Sequence, residues 1–409
     1  MTILSNGTAA APGDGKGPGR LGAWLSGTWA VVGMELRQRL RSRGWYIMLV
    51  VWMAVIAIVT AFTWSSWKAQ SSDNNGDFGY VGPQLGSMIF EVVLAFVLLF
   101  ALLVAPALSA NAVNGDRAAG TLAILQVTLL RPGQLLWGKF LASWIAGLAF
   151  LVASLPFLVF AILQGGLGAW QIVVALAMLA VEVGVVCAMG VGISALAARP
   201  LFSIVVTYMV VAALGLGTLV AFGLGSLVSD DTVEANQVYY KNSAAYQGSG
   251  DSSGDGAYVD GTYVDGGSDM YPAPPQPKDI TGQTAEYACF GPLVEQRAAR
   301  TERVAWILGL NPFVVVADAI PYPKHAGDRS YSGGAFESIS QGVHYLQAGP
   351  NATYQCAEGK VAPSYIEQKV PLWPLGLGLQ LLVAAGILAL GWRALRTPAR
   401  RLPKGTRVA

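Results

Sequence analysis

The sequence predicts an all-α membrane protein with six transmembrane helices. An interfacial helix precedes the first, a short cytoplasmic helix lies between the second and third, and a large extracytoplasmic insert separates the fifth and sixth. Three observations carry this prediction. Of 409 residues, 54% are hydrophobic and only 12% are charged, about half the charge of an ordinary soluble chain. Six apolar stretches each supply the ~20 residues needed to cross a hydrocarbon core of ~30 Å. Lys and Arg gather on alternate connections between them. A net charge of +2 gives no overall basic field, which argues against a nucleic-acid partner.

Residues 1–20 are polar and rich in Gly and Ala, without the apolar core of a cleaved signal peptide, and are expected to be a disordered cytoplasmic tail. In 21–43, Leu25, Trp29, Val32, Leu36 and Leu40 recur at helical spacing. Arg37, Arg39, Arg41 and Arg43 crowd the last turns, where they suit the negative end of the helix dipole and anionic headgroups. This segment reads as an amphipathic helix lying in the cytoplasmic interface. The alternative is a simple orientation signal.

The first crossing, 45–64, is uncharged, and the second, about 84–110, holds a single acid, Glu91, near its outer end. Residues 140–181 contain no charge over 42 positions, too many for one helix of ordinary tilt. Gln164-Gly165-Gly166-Leu167-Gly168 divides them, since clustered Gly punctuates helices. The third helix therefore ends near 163 and the fourth spans about 170–197. Arg199-Pro200 opens the fifth, 201–228, so that 44–228 holds the first five crossings. The sixth occupies 371–395, with a basic tail at 396–409. Pro106 and Pro156 are expected to kink the second and third helices.

Charge orients the bundle. The residues before 45, those at 111–139, Arg199 and those after 392 hold 16 Lys/Arg against 3 Asp/Glu. The 65–83 loop has one Lys and two Asp, and the long 229–370 segment has 9 Lys/Arg and 17 Asp/Glu. Lys and Arg of short loops stay inside, which puts both termini in the cytoplasm of a multi-pass plasma-membrane protein. Residues 304–320 are apolar, but they are short and interrupted by Asn311-Pro312. A seventh crossing there would expel the basic tail, so the expectation is a re-entrant or interfacial segment packed on protein.

The loop 111–139 is cytoplasmic yet carries Leu122, Ile124, Leu125, Val127, Leu129 and Leu130 in a run too short to span. Asp116 precedes the run and Arg131-Pro132-Gly133 ends it, as at the ends of a helix. A short apolar helix presented to the cytoplasm must bury its face, either beneath the membrane helices or in a cytoplasmic partner.

The order Asp116-Arg117-Ala-Ala-Gly120-Thr121-Leu122, then Leu125, then Gly138-Lys139, resembles the cytoplasmic loop of ABC-2 type transporter permeases. Glu35-Leu36-Arg37 leading to Arg43-Gly44-Trp45, and Leu310-Asn311-Pro312-Phe313 before the last helix, are similar to that family too. Two departures are Asp116 where Glu is common, and Ala123 where an acid usually follows Thr-Leu. The resemblance implies a non-catalytic subunit of an ATP-driven exporter. The 116–130 segment would be a coupling helix seated in a separate ATPase subunit, with Asp116, Arg117, Gly120, Thr121, Leu122 and Leu125 at the contact. Two such permeases would enclose a pathway, as a homodimer or with a sister permease, surrounded by membrane lipids. The chain contains no GxxxxGK[ST] loop to cradle phosphates, so ATP and Mg would be bound by the partner.

In the insert 229–370, residues 229–279 are low in aliphatics and carry the near-repeat Ala257-Tyr-Val-Asp-Gly, Thr262-Tyr-Val-Asp-Gly. They read as a flexible loop, and the Asp-Gly pairs lack an EF-hand ligand series. Residues 280–370 read as a small cap. Cys289 and Cys356 share this oxidising side and are expected to be bonded. Cys187 reads as a packing residue, and His325 and His344 fall into no zinc spacing, so no metal site is expected.

Glu182 lies mid-membrane in the fourth helix. A carboxylate there is costly when exposed to lipid, so it either lines the translocation route or is buried against a neighbouring helix. Glu91, near the surface, is expected to reach headgroups. Two other classes compete with the exporter. One is a structural or signalling membrane protein whose 116–130 helix binds a non-ATPase partner. The other is an ion-coupled secondary transporter with Glu182 as its proton site, although the inverted repeats of that class are not visible.

Overall fold

The computed structural model describes residues 20–73, 85–120, 131–165, 167–240, 257–259, 262–264, 287–322, 334–354, 356–360 and 370–396. Among the described residues, six helices are long and apolar enough to cross a membrane: Arg43–Ala69, Leu85–Ala118, Pro132–Leu163, Ala169–Leu196, Pro200–Val228 and Trp373–Leu395. These are the six stretches that hydropathy selects. The chain divides into two compact units, one of 1–214, 319–335 and 377–409, the other of 215–318 and 336–376.

In the first unit, α1 (Arg20–Arg41) is separated from α2 (Arg43–Asp73) by Ser42 alone. Then come α3 (Leu85–Ser109), the five-residue α4 (Asn114–Ala118), α5 (Pro132–Leu163) and α6 (Ala169–Leu196). The fifth crossing is α7 (Pro200–Ala212), a π turn (Ala213–Gly217) and α8 (Thr218–Val228), with the unit boundary inside the π turn. The break between α5 and α6 falls in the predicted Gly cluster, where Gly165 has φ +86°. Gly86 is required beside it, because a Cβ there would collide with the carbonyls of Gly165 and Ala161.

Aromatic packing fixes the peripheral α2. Trp52 stacks on Phe100 of α3 with ring centroids 3.9 Å apart. Its indole Nε1 donates to the Phe150 carbonyl (3.2 Å) and Ser154 Oγ (3.1 Å) of α5. The centre of the bundle is α6, whose most apolar window is 61% buried against 11% for the fifth crossing. Pro106 and Pro156 both sit inside continuous helices, α3 and α5.

Glu91 departs from expectation. Its residue is 4% exposed, and a Cβ on Gly334 would fall on its carboxylate. It is packed against backbone and does not reach headgroups. An acid about two turns inside an apolar helix carries no sequence mark that separates these two fates.

In the second unit, β1 (Asp230–Tyr240) pairs antiparallel with β4 (Tyr287–Ala299), from Asp230↔Ala299 to Tyr240↔Tyr287, with an irregularity between Ala235 and Gln237. The first part of the segment read as flexible loop is therefore ordered strand. Its partner lies far along the chain, so no local pattern announces it. Ala235 also bridges Ala357, Asn236 N–H donates to the Cys356 carbonyl, and Glu358 N–H donates to the Glu234 carbonyl. Val233, Ala298 and Ala357 form a small core beneath Tyr354. Within the near-repeat, β2 (Ala257–Val259) pairs antiparallel with β3 (Thr262–Val264).

Residues 304–320 make no seventh crossing. A 3₁₀ stretch, Ala305–Leu310, breaks at Asn311 into the eight-residue α9 (Pro312–Ala319). Asn311 Oδ1 accepts from Phe313 N–H at 2.9 Å and so caps α9, while its Nδ2 donates to the Gly215 carbonyl (2.8 Å) and Thr218 Oγ1 (3.1 Å). A π turn leaves backbone groups without their usual helical partners, and the Asn311 amide satisfies one of them. Leu308, Val314 and Leu372 pack with Val343 of α10 (Ala335–Ala348). The one-turn α11 (Pro350–Thr353) follows. Asp318, with a fully buried side chain, accepts from Leu372 and Trp373 N–H at 2.6 and 2.9 Å and pairs with His344 Nε2 at 2.9 Å. It thereby caps α12 (Trp373–Leu395) with a negative charge, the favourable sign at a helix N-terminus.

Candidate functional site

Among the described residues, a cluster of buried and half-buried charges lies where α1, α4 and α5 meet. The start of α5 builds it. Pro132 stands at the first helical turn, and Gln134 Oε1 accepts from Arg131 N–H at 2.7 Å, closing an exposed helix end. The Gln134 Nε2 donates to the Ala23 and Trp24 carbonyls at 3.3 and 3.1 Å, pinning α1 alongside. One turn on, a Cβ at Gly138 would run into Val31 and the Thr28 carbonyl. The two helices can touch backbone to backbone only because glycine stands there. That contact delivers Lys139, next in sequence, into the interior beside Glu35.

Lys139 Nζ lies 2.5 Å from Glu35 Oε1 and 2.6 Å from Asp116 Oδ2, with the lysine side chain 1% exposed. A buried ammonium is tolerable only when paired, and here it is paired twice. Each acid comes from a different segment: the helix before the first crossing and the loop after the second. Arg39, one turn beyond Glu35, adds a second cation. Its Nη2 donates to the Leu108 carbonyl (2.9 Å) and Ser143 Oγ (3.2 Å), fastening the C-terminal end of α3 to α1 and α5. Burial lowers the Arg39 pKa from its ordinary value, and Glu35 partly opposes that shift.

Arg39 therefore does not reach headgroups with its neighbours; Arg37, Arg41 and Arg43 remain exposed. The apolar stripe of α1 divides as well. Val32 is buried, whereas Leu21, Leu25, Trp29 and Leu40 are exposed along the helix. One face packs on α5 and another is left apolar and open.

Of the residues expected to meet an ATPase, Asp116 is turned inward to Lys139. Arg117 donates to the Ala197 carbonyl at 2.6 Å and to the Ala195 carbonyl at 3.4 Å. Gly120 is exposed, with φ +71°, a conformation that suits glycine. Helix is present over Asn114–Ala118, starting two residues before Asp116. Thr121, Leu122 and Leu125, with the rest of 121–130, lie outside the described residues. Cys289 and Cys356 are joined by a disulfide with Cα atoms 5.5 Å apart, and Cys187 is buried and free.

Glu182 is fully buried inside the bundle, and among the described residues neither of its carboxylate oxygens has a hydrogen-bond partner within bonding geometry. Nothing of it is exposed on the surface of the single chain. Glu182→Gln keeps the side-chain volume and breaks no hydrogen bond of the carboxylate, so it is expected to change stability by less than about 1 kcal/mol, read by thermal unfolding in detergent. A transport defect in that stable variant would mark a pathway role; transport equal to the parent's would remove it.

Lys139 and Glu35 stood in the motifs without an assigned role, and Arg39 was assigned to the membrane surface. The available signal was the pairing of Gly138 with a lysine at the mouth of an otherwise uncharged helix. A family model described as ABC-2 family transporter protein matches residues 29–354, which takes in α1 from Trp29 onward, the 111–139 loop and the first five crossings. The comparison with curated proteins returns no match.

Proposed function

Because this chain belongs to the ABC-2 family of transporter proteins, a membrane permease subunit of an ABC transporter, we propose that it exports an amphiphilic compound, peptide or lipid with energy drawn from a separate ATPase subunit. The observation that carries this reading is the Lys139 cluster. Glu35, Asp116 and Lys139 tie the helix before the first crossing, the loop after the second and the start of the third into one buried ion network.

Such a network suits transmission. The partner ATPase binds ATP and Mg and grips the 121–130 segment. Movement of that segment pulls on Asp116, and through Lys139 it reaches α1 and α5 together. Two permeases, as a homodimer or with a sister chain, enclose the pathway and alternate between inward- and outward-facing states. The basic connections hold both termini in the cytoplasm, at the plasma membrane.

The test is co-isolation with an ATPase subunit followed by substitution in the loop. Leu122→Asp or Leu125→Asp places a charge on the docking face and is expected to cut co-isolation and permease-dependent ATPase activity by at least about tenfold, the effect of one desolvated charge at an interface. Full retention of both in both variants would refute docking through this segment.

A further inference from the structure

We infer that Ser194 and Arg117 are positioning residues that fasten the coupling loop to α6, so that α6 is the crossing this loop drives first. The inference rests on the transmission reading above and names the element that receives the motion.

The five residues of α4 are too few to hold a helix by themselves, so their orientation is imposed from outside. Two reciprocal caps impose it. At the start of α4, Ser194 Oγ accepts from the N–H groups of both Val113 and Asn114, at 3.1 Å each. At its end, the Arg117 guanidinium donates to the Ala195 carbonyl in the last turn of α6 and to the carbonyl of Ala197, the residue just past it, and to Asn114 Oδ1 at 3.2 Å. Each helix thus satisfies the open end of the other, the amides of one through a hydroxyl and the carbonyls of the other through a cation.

Ser194, Val113 and Asn114 are all buried. Val113 is wedged into a core with Val191 and Ala195 of α6, Leu136 of α5 and Leu395 of α12. Ser194 holds the two amides through a one-carbon side chain in a buried site, where no water can take over the bonds if the loop shifts, whereas the ion pairs at Lys139 act through long side chains that tolerate rotation. A displacement of the loop is therefore passed rigidly to α6. Because α6 is the most enclosed crossing, its movement must repack α3, α5 and α12 around it.

The experiment uses the permease purified with its ATPase subunit in lipid nanodiscs. Hydrogen–deuterium exchange of the segment holding Val113 and Asn114 is expected to quicken about tenfold in Ser194→Ala, the loss of one net hydrogen bond. It should also quicken in Arg117→Met and less in Arg117→Lys, which keeps a cation. In the second arm, Ala119→Cys and Leu196→Cys are joined by a short bifunctional thiol reagent; Cys187 is buried, and Cys289 and Cys356 are bonded. If loop and helix move as one body, the joined protein keeps its permease-dependent ATPase activity. Unchanged exchange in Ser194→Ala, or activity abolished by the link but present before it, overturns the inference and leaves the transporter reading standing. A permease that binds no ATPase and answers no nucleotide overturns both.

Discussion

Lys139→Met is expected to destabilise the first unit by about 3–5 kcal/mol, the cost of leaving buried charge without its counter-ion. The substitution keeps the volume of the side chain and removes only the ammonium that Glu35 and Asp116 share. Glu35→Gln should cost more than Asp116→Asn, because the Glu35 side chain is 13% exposed and that of Asp116 is 25%, so water can replace more of the lost interaction at Asp116. The triple variant Lys139→Met, Glu35→Gln, Asp116→Asn removes all three charges and should regain most of the loss. Thermal unfolding in detergent, followed by the recovery of monodisperse protein after heating, measures the series. A Lys139→Met variant that melts with the parent would show that the cluster contributes nothing to the fold.

The second large effect is expected in the second unit. The Cys289–Cys356 bond closes a loop with a sequence separation of 67 residues. By loop-closure entropy a bridge of that span stabilises by about 4 kcal/mol. It also holds the 356–358 strip against β1, where Ala235, Asn236 and Glu234 make their backbone contacts. Cys289→Ala with Cys356→Ala should therefore expose the Tyr354–Lys360 region to protease at temperatures where the parent is resistant. The crossings that lie wholly in the first unit should be unaffected, since their apolar lengths are satisfied by lipid independently of the second unit. Equal protease resistance of the two proteins over the whole range would dismiss the bond as a stabilising element.

Much of the architecture could be read from residue order, and the reason is the solvent. In a bilayer every backbone group must be satisfied within its own helix, so a run of uncharged residues declares a crossing without reference to what surrounds it. The Gly cluster at 164–168 and Arg199-Pro200 marked the breaks for equally local reasons. Asn311-Pro312 likewise foretold a broken segment where a span was too short. The strand at Asp230–Tyr240 could not be read in this way. It is polar, and its partner begins only at Tyr287, across residues whose composition resembles a linker.

The candidate site was half legible. Asp116 and Arg117 were visible as motif residues, yet their inward partners were not. Whether an arginine on an amphipathic helix faces headgroups or the bundle depends on how closely that helix lies to its neighbour, and periodicity does not encode it. Here Gly27 and Gly138 allow α1 and α5 to approach until the Gln134 amide and Val31 fill the gap. That approach turns Glu35 and Arg39 inward and leaves Arg37 and Arg41 outside. Sequence alone thus determined the number and order of the membrane helices, because hydrophobic length is a property of each segment taken singly. The tertiary structure alone decided which charges meet, because an ion pair between segments a hundred residues apart exists only once backbone contact has removed the water between them.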